Sequence, residues 1–234
     1  MTKVEMAILS YNEAKSLPAV VSDLNAAMAK MADVDFKILI INNGSKDNTP
    51  VVIGELEAKN QNIRHITIEK NLGYGYGVKS GLAALQGDII GYMWGDNQFD
   101  ASIITDLVQK MLTNKDLQMT KTYRKERQDG RFRLVVSSIY QTIFRVLYGF
   151  YTIDINSGPK IFRSEFLPKI LPLRSDDWFV DAEIMIKASR SISKNEITEL
   201  PIVFRPRKFG KSNVRFSDCF QFLYNLLKYK FVKL

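Results

Sequence analysis

The first hundred residues alternate between short apolar segments and longer stretches of helical length and periodicity. The apolar segments have the length of β-strands and lie at residues 4–9, 36–41, 63–68 and 89–93. Strands that alternate with helices pair in a parallel sheet, and the connections between them cross over in a right-handed sense. The carboxyl ends of such strands meet at one edge, where α/β proteins bind ligands. The alternation therefore predicts an α/β fold with a binding site at that edge.

Each of these four segments is followed by a loop rich in asparagine, glycine or serine. The loops comprise residues 10–13, 42–49, 71–77 and 94–98. The third loop carries three glycines, but it is not a P-loop, because Val78 separates Gly77 from Lys79. It also lacks the third glycine of the dinucleotide-binding fingerprint. Closely spaced glycines instead allow the start of a helix to pack tightly against a neighbouring strand and a ligand.

The fourth loop places a carboxylate and an amide just beyond an apolar strand. Asp96 and Gln98 follow the segment that ends at Met93. Oxygen ligands of this kind suit a hard divalent cation that holds a diphosphate. The sequence therefore predicts a cation site in this loop.

The pattern of elements changes after residue 100. We expect helices at 101–112, 134–151, 178–190 and 216–234, and strands at 117–123, 158–163 and 196–204. Asp177 is expected to cap the helix at 178. Thr49, followed by Pro50, is expected to cap a helix that runs to about residue 59.

The net charge of +8 is concentrated in two segments. Residues 121–133 contain six basic and two acidic residues, and residues 205–234 contain eight basic and one acidic residue. The remainder is therefore acidic overall, which is not the distribution of a uniformly basic nucleic-acid-binding protein, and we expect no nucleic-acid partner. Anionic lipid or phosphate is the partner that two basic surfaces favour.

Composition limits the remaining possibilities. With 234 residues and 46% hydrophobic content, the chain can form one large domain, or a domain with an appendage. Cys219 is the only cysteine, which excludes an intrachain disulfide and a cysteine-built metal site and fits a reducing compartment. His65, the only histidine, is expected to face solvent on a strand. The start of the chain has no leader pattern, and no run of 18 apolar residues occurs. We expect a cytoplasmic protein that is soluble or lies on a membrane.

Taken together, the four loops resemble the nucleotide-binding half of family 2 glycosyltransferases. The matching patterns are Ser-Tyr-Asn-Glu, Asn-Gly-Ser-x-Asp-x-Thr, Asn-x-Gly and Asp-x-Gln, in this order. Residues 154–160, 179–183 and 207–212 extend the resemblance over about 4–213, and within the family the chain is most similar to the dolichol-phosphate mannose synthase group. The resemblance implies a GT-A-type, mostly parallel sheet flanked by helices.

The resemblance also implies a domain organisation. A GT-A domain would span residues 1–213, with a nucleotide-sugar half at about 1–100 and an acceptor half at about 101–213. Residues 214–234 would form an amphipathic helix that lies on a membrane surface. The aromatic helix at 134–151 has a similar character; the alternative for both helices is packing in the core.

Several site residues are carried over from this resemblance. Asp96 and Gln98 would bind Mg2+ or Mn2+ that bridges the donor diphosphate. Arg133, Arg207 and Ser212 would hold phosphate oxygens, a role that suits the planar fork of arginine. The nucleotide would be bound by residues of all four loops, namely Ser10, Tyr11, Asn12, Glu13, Asn42, Asn43, Gly44, Ser45, Gly75, Lys79 and Gly95.

Asp181 and Glu183 are the candidate general bases for an acceptor hydroxyl. Residues two apart on a helix point about 200° apart, so only one of them can easily face the site. An acceptor that is a lipid phosphate is already anionic and needs no strong base. A surface salt bridge is the alternative role for either residue.

The implied activity is inverting transfer of a sugar from a nucleotide-diphosphate sugar to polyprenyl (dolichyl) phosphate. The alternative acceptor is a lipid-linked or surface glycan, and either reaction would serve cell-envelope glycan biosynthesis at the cytoplasmic face of a membrane. The chain departs from the family pattern at Trp94, Asn42 and Asn43, where acidic residues are usual. A catalytically silent nucleotide-sugar-binding homologue is therefore a second alternative.

Overall fold

The structure is a computed structural model that describes residues 1–126, 131–205 and 217–231. Within these residues the strands are β1 (Thr2–Ser10), β2 (Val34–Asn43), β3 (Ile63–Ile68), β4 (Ile89–Trp94), β5 (Met119–Glu126), β6 (Lys160–Arg163) and β7 (Ile197–Val203). The helices are α1 (Leu17–Met28), α2 (Thr49–Lys59), α3 (Tyr74–Ala84), α4 (Ser102–Thr113), α5 (Arg131–Tyr148), α6 (Leu167–Ile170), α7 (Val180–Ser189) and α8 (Ser217–Phe231). Short 3-10 turns occupy Ser164–Phe166 and Lys194–Glu196.

The strands form one mixed sheet in the order β3-β2-β1-β4-β6-β5-β7. The first four strands, in the order β3-β2-β1-β4, are parallel to one another. β6 is antiparallel to both β4 and β5, and β7 is parallel to β5. This confirms the predicted α/β fold with a mostly parallel sheet. It also places the loops after β1 to β4 at a single edge.

The hydrophobic core lies in two layers, one on each face of the sheet. Successive residues of a strand point to opposite faces, so Met6 and Ile8 of β1 pack in the layer with α1, α2 and α4, whereas Ala7 and Leu9 pack in the layer with α3, α5, α7 and α8. Both faces of the central strands are therefore covered. This double burial explains why these strands are continuous apolar runs in the sequence.

Most predicted elements are present, and their ends differ for identifiable reasons. The helix predicted to continue to residue 151 ends at Tyr148, because Gly149 adopts a positive φ of 64° and its N–H bonds to the Arg145 carbonyl (2.8 Å). Thr49 is the first residue of α2 rather than its cap, and Asp47 Oδ1 accepts its backbone N–H (3.0 Å). His65 is exposed on β3, as predicted.

Helix α8 has two apolar faces. Phe222, Leu226 and Tyr229 pack against the core layer that contains α5 and α7. Leu223 and Leu227 lie on a different face, and Leu227 is exposed. Polar contacts also hold α8: the Tyr148 hydroxyl donates to the Leu226 carbonyl (2.7 Å), and the Arg190 guanidinium donates to the Tyr229 carbonyl (2.8 Å). Over the described ranges, none of the helices is long and apolar enough to cross a membrane.

Candidate functional site

The loops after β1 and β2 are joined by hydrogen bonds between their backbones and side chains. The Asn12 N–H donates to Ser45 Oγ (3.1 Å), and the Lys46 N–H donates to Asn12 Oδ1 (2.8 Å). Asn12 adopts a left-handed backbone (φ 58°), a conformation that asparagine tolerates better than most residues. Asn42 Oδ1 accepts the Ser45 N–H (3.1 Å) and so fixes the turn after β2. The two loops form one unit.

The loop after β4 packs directly on the loop after β1. The Gly95 N–H donates to the Leu9 carbonyl (3.0 Å), and the Ser16 hydroxyl donates to the Gly95 carbonyl (2.8 Å). A side-chain carbon at Gly95 would lie 2.8 Å from Ser10 Oγ. A side chain at position 95 would therefore crowd Ser10, which lies beside the turn that leads into Asp96.

The loop after β3 contacts the loop after β2 and a segment that precedes α7. Asn43 Nδ2 donates to the Gly73 carbonyl (3.0 Å), and an added carbon at Gly44 would lie 2.3 Å from the Asn71 nitrogen. An added carbon at Gly75 would lie 2.4 Å from the Ser175 carbonyl oxygen. We call residues 174–178 the strap. The glycines thus pack a helix start tightly, as predicted, and the neighbour that they accommodate is the strap.

Two buried polar atoms under these loops have no hydrogen-bond partner among the described residues. They are Ser10 Oγ and Asn43 Oδ1. An unpaired buried polar atom costs about 1–3 kcal/mol, and native structures contain few of them. Their position at the carboxyl ends of β1 and β2 is where a bound ligand in an α/β sheet would supply the missing partner.

Asp96 and Gln98 lie together in the loop after β4. Asp96 is 8% exposed, and its Oδ1 accepts the Gln98 N–H (3.3 Å). Gln98 Nε2 donates to the Arg205 carbonyl (3.1 Å), so the amide is engaged by backbone beyond β7. No group of three or more His, Cys, Asp or Glu side chains that could hold a metal occurs in the described part of the chain. A cation at Asp96 would therefore need phosphate oxygens to complete its shell, which fits the preference of Mg2+ for a carboxylate plus substrate phosphates.

Trp94 fills the space where the family pattern usually has an acid. Its indole N–H donates to the Tyr74 hydroxyl (3.1 Å). Its ring contacts Phe99 edge-on (6.4 Å between centroids) and Phe204 at a tilt (5.7 Å). An added carbon at Gly158 would lie 3.2 Å from the indole. The side chain is thus packed on several sides and held by a polar contact.

Asp181 and Glu183 point to different partners, as their spacing predicts, and both are buried. Asp181 accepts the Tyr92 hydroxyl (2.6 Å) and is paired with the Lys160 ammonium. Glu183 accepts the backbone N–H groups of Arg174 (2.8 Å) and Ser175 (2.8 Å) and thereby fixes the strap. Neither carboxylate forms a surface salt bridge, so that alternative from the sequence is wrong. Both are occupied by structural partners.

Lys160 was not identified from the sequence. Its ammonium is fully buried beside Asp181, and burial lowers the pKa of Lys160 to about 8, although the Asp181 charge raises it. The Tyr74 and Trp178 rings stack at 4.3 Å, a contact that the sequence also did not indicate. Both features involve elements far apart in the chain. Sequence periodicity carries no signal for them.

The remaining predicted residues are placed as follows. Lys79 of α3 pairs with Asp176 of the strap, and Tyr11 is half-buried in the loop after β1. Arg207 and Ser212 lie outside the described residues, and so does the side chain of Arg133, whose backbone is in α5. Their phosphate-binding roles stay predictions.

The chain is similar to known proteins in sequence and in fold. The sequence model of the family described as Glycosyl transferase family 2 matches residues 6–171. Glucosyl-3-phosphoglycerate synthase from Mycobacterium tuberculosis, in complex with Mn2+, uridine diphosphate and glucosyl-3-phosphoglycerate, is similar with a TM-score of 0.76 at 19% identity, over 100% of this chain and 81% of that chain.

Two further structures of the same enzyme are also similar. Its complex with Mn2+, uridine-diphosphate-glucose and phosphoglyceric acid gives a TM-score of 0.73 at 18% identity, over 100% of this chain and 81% of that chain. Its complex with Mn2+ and uridine-diphosphate-glucose gives 0.74 at 18% identity, over 98% and 79%. At this level of identity the likeness establishes a shared GT-A-like fold.

Proposed function

We propose that this chain, which belongs to glycosyl transferase family 2, transfers a sugar from a nucleotide-diphosphate sugar to an anionic acceptor. The observation that carries the proposal is the pair of unpartnered buried atoms, Ser10 Oγ and Asn43 Oδ1, under the converging loops. A nucleoside offers the hydroxyl and amide groups that would satisfy them. The similar enzyme from Mycobacterium tuberculosis binds uridine diphosphate and Mn2+, which supports the same class of donor.

The donor diphosphate would lie beside Asp96, with Mg2+ or Mn2+ between the carboxylate and the phosphate oxygens. The ion would neutralise the charge that develops on the leaving nucleotide. The loops after β1 and β2 would hold the nucleoside. Because Gly95 has no side chain, the protein backbone could approach the donor closely at this position. Gln98 would also contribute to the cation site. Arg133, Arg207 and Ser212 would hold phosphate oxygens, and substitution of each residue tests these roles.

Asp181 and Glu183 both accept hydrogen bonds from structural donors, and this favours an acceptor that is already an anion. A general base must be within hydrogen-bond reach of the proton that it removes, and both carboxylates face structural donors instead. A phosphate oxygen can attack without losing a proton. We therefore propose polyprenyl phosphate as the acceptor, attacking the anomeric carbon opposite the leaving nucleotide, with inversion. A lipid-linked glycan is the alternative, and its hydroxyl would need a base.

A lipid acceptor fits the surface formed by α5 and α8. Large apolar side chains are exposed there, namely Ile139, Val146, Tyr224, Leu227 and Phe231. Lys228 and Lys230 lie among them on α8, α5 contains no acidic residue, and α8 contains one. Apolar side chains flanked by lysines suit the boundary of an anionic bilayer. We propose that this surface docks on the cytoplasmic face of a membrane.

Donor binding is the first test. Calorimetry with Mn2+ and a panel of nucleotide sugars should identify a ligand of the wild-type chain, and Asp96→Ala should remove metal-dependent binding without unfolding the protein. Asp106→Ala, an exposed carboxylate on α4, is the matched control and should bind like wild type. Unchanged nucleotide affinity in Asp96→Ala would contradict the assigned site. Binding without slow hydrolysis of the donor by water would favour the catalytically silent homologue.

Membrane docking is tested separately by flotation with vesicles that contain anionic lipid. The wild type should float at low salt, and each lysine near the surface contributes roughly 1 kcal/mol. The double variant Lys228→Glu, Lys230→Glu should float less, whereas Lys110→Glu on α4 should not change flotation. Equal flotation of all three proteins would contradict the proposal. A concentration-dependent dimer in sedimentation, lost in Phe231→Glu, would instead assign the surface to a second copy of the chain.

A further inference from the structure

Ser16 stands at the cap position of α1 but does not cap the helix. Its side chain makes no capping hydrogen bond to the backbone of α1, although serine is one of the residues that commonly does so. The residue is 4% exposed, and its hydroxyl is turned toward the loops after β1 and β4 instead. The hydroxyl therefore serves these loops rather than its own helix.

The Ser16 hydroxyl lies between two acceptors that compete for one proton. Glu13 Oε2 is 2.5 Å from Ser16 Oγ, and the Gly95 carbonyl oxygen is 2.8 Å from it. The Glu13 carbonyl oxygen is more distant, at 3.3 Å. A hydroxyl has a single donor proton, and an ionised carboxylate only accepts. A stronger hydrogen bond to the Glu13 carboxylate therefore means a weaker one to Gly95.

The backbone beside Glu13 is anchored by the loop after β2. The Glu13 N–H donates to Thr49 Oγ1 (2.9 Å), and the Ala14 N–H donates to Asp47 Oδ2 (3.4 Å). The Glu13 side chain is half-buried, and the residue is among those predicted to bind the nucleotide. With the backbone held in this way, a change in what Glu13 contacts reaches Ser16 through the carboxylate.

Gly95 is held by hydrogen bonds on both sides. Its N–H donates to the Leu9 carbonyl (3.0 Å), and its carbonyl accepts from Ser16. The next residue is Asp96, the predicted cation ligand, which is 8% exposed. The Gly95 carbonyl and the Asp96 N–H belong to one planar peptide group. A hydrogen bond at this carbonyl therefore fixes the plane from which Asp96 starts.

We propose that Ser16 is a positioning residue that links nucleoside recognition to the cation site. A bound nucleoside that donates a proton to Glu13 satisfies the carboxylate and leaves the Ser16 proton for Gly95, which fixes the turn that carries Asp96. The nucleoside and the cation then favour each other's binding, because coupling between two sites is reciprocal. The part of this inference that concerns ligands rests on the proposed function; the competition for the Ser16 proton does not.

The first experiment measures the competition without any ligand. An HNCO spectrum correlates the Asp96 amide with the Gly95 carbonyl carbon, whose resonance moves upfield when a hydrogen bond to the oxygen is lost. Ser16→Ala should move it upfield by more than its line width. Glu13→Gln offers Ser16 a neutral and therefore weaker acceptor, so it should move the resonance downfield. The double variant should resemble Ser16→Ala, because Glu13 acts on Gly95 through the hydroxyl.

Ser189→Ala is the matched control for the loss of a serine hydroxyl. The Ser189 hydroxyl also donates to a backbone carbonyl, that of Ile186 (2.7 Å), but at the end of α7. Its loss should leave the Gly95 resonance in place. Glu13→Gln keeps the buried serine, so it decides whether the proton is shared if Ser16→Ala does not fold.

The second experiment measures the consequence for the site. Calorimetry of Mn2+ with uridine diphosphate or guanosine diphosphate should show weaker metal-dependent binding in Ser16→Ala by roughly tenfold, the usual effect of losing an outer-shell partner. Ser16→Thr keeps the hydroxyl and should bind like wild type, and so should Ser189→Ala. This rescue separates the role of the hydroxyl from the general loss of a side chain.

The outcomes separate this inference from the proposed function. A Gly95 resonance that is unmoved in both Ser16→Ala and Glu13→Gln overturns the inference, and so does a shift in the same direction in both. Wild-type metal-dependent affinity in Ser16→Ala also overturns it. If the wild-type chain binds neither nucleotide with Mn2+, the proposed function fails, and the direction of the two shifts still decides whether Glu13 and Gly95 compete for the Ser16 proton.

Discussion

The two halves of the sheet use charged residues in different ways. In the first half, Glu5 of β1 pairs with Arg64, whose side chain is 39% exposed, so the pair reaches solvent. In the second half, Lys160 and Asp181 pair with exposures of 0% and 3%. Lys121 is likewise buried on β5 and bonds to Glu199 (2.7 Å). The Lys160–Asp181 pair of the second half is thus enclosed in the protein, whereas the Glu5–Arg64 pair of the first half reaches solvent.

The difference shows that a polar residue near the site need not belong to the chemistry. Buried ion pairs cost desolvation free energy and add little net stability, but the loss of one partner is severe. They can therefore hold elements in one arrangement. In this protein the buried charges join β4, β5, β6 and α7, whereas the unpartnered atoms Ser10 Oγ and Asn43 Oδ1 lie under the loops of the first half.

The largest expected effect is the loss of stability when the buried ion pair between Lys160 and Asp181 is broken. Lys160→Met leaves Asp181 buried without its cation and should lower the free energy of unfolding by about 3–5 kcal/mol in urea denaturation. The second substitution Asp181→Leu, added to the first, should recover much of the loss. Arg205→Met removes an exposed pair with Asp100 and should cost less than about 1 kcal/mol. Similar losses for Lys160→Met and Arg205→Met would erase the contrast between a buried and an exposed ion pair.

Substitution of Glu183 should cause a loss of stability of intermediate size. Glu183→Gln turns an amide NH2 toward the N–H groups of Arg174 and Ser175, so we expect a loss of about 2–3 kcal/mol in unfolding free energy. Glu165→Gln, at an exposed site, should stay within about 0.5 kcal/mol of wild type. Wild-type stability combined with lost turnover in Glu183→Gln would instead indicate a catalytic group.

The pH dependence of stability should reveal the lowered pKa of Lys160. Burial lowers the pKa of Lys160 from its ordinary 10.5 to about 8; Asp181 and Asp154 raise it and Lys121 lowers it. Between these values the unfolded chain binds more protons at this residue, so the free energy of unfolding should rise with pH. One group contributes at most about 1.4 kcal/mol per pH unit. Denaturation at pH 8 and pH 9.5 should show a rise of about 1–2 kcal/mol that Lys160→Met lacks. Parallel curves for the two proteins would contradict this assignment.

Two glycines in helices should respond to alanine in opposite directions, and the Gly54 change is the smallest of these effects. Gly75→Ala places a carbon 2.4 Å from the Ser175 carbonyl oxygen, so backbone must move, and we expect a loss of about 1–3 kcal/mol. Gly54→Ala on α2 meets nothing within 4 Å and should stabilise the protein by about 0.5–1 kcal/mol. Denaturant midpoints measure both changes. A stable Gly75→Ala protein would mean that the strap is not pressed against α3.

The fold class and the convergence of four loops at one sheet edge could both be predicted from the sequence. Alternating apolar and helical segments predict a parallel sheet, because periodicity is a local property that each element carries in its own residues. The predicted strand at residues 63–68 is β3. The loops after β1 to β4 converge because parallel strands share one carboxyl edge. The hydrogen bonds of Asn12 with Ser45 and of Asn43 with Gly73 form because these loops meet at that edge.

The contacts of the acidic residues in the second half could not be predicted from the sequence. Spacing on α7 showed that Asp181 and Glu183 diverge, but the donor to Asp181 on β4 lies 89 residues away in the chain. Similarly, the sequence predicts an amphipathic helix at 214–234. The face of α8 that packs against the core, through Phe222, Leu226 and Tyr229, is known only from the fold. Burial and partner choice depend on which distant surfaces meet, and this information is not contained in the period of any single segment.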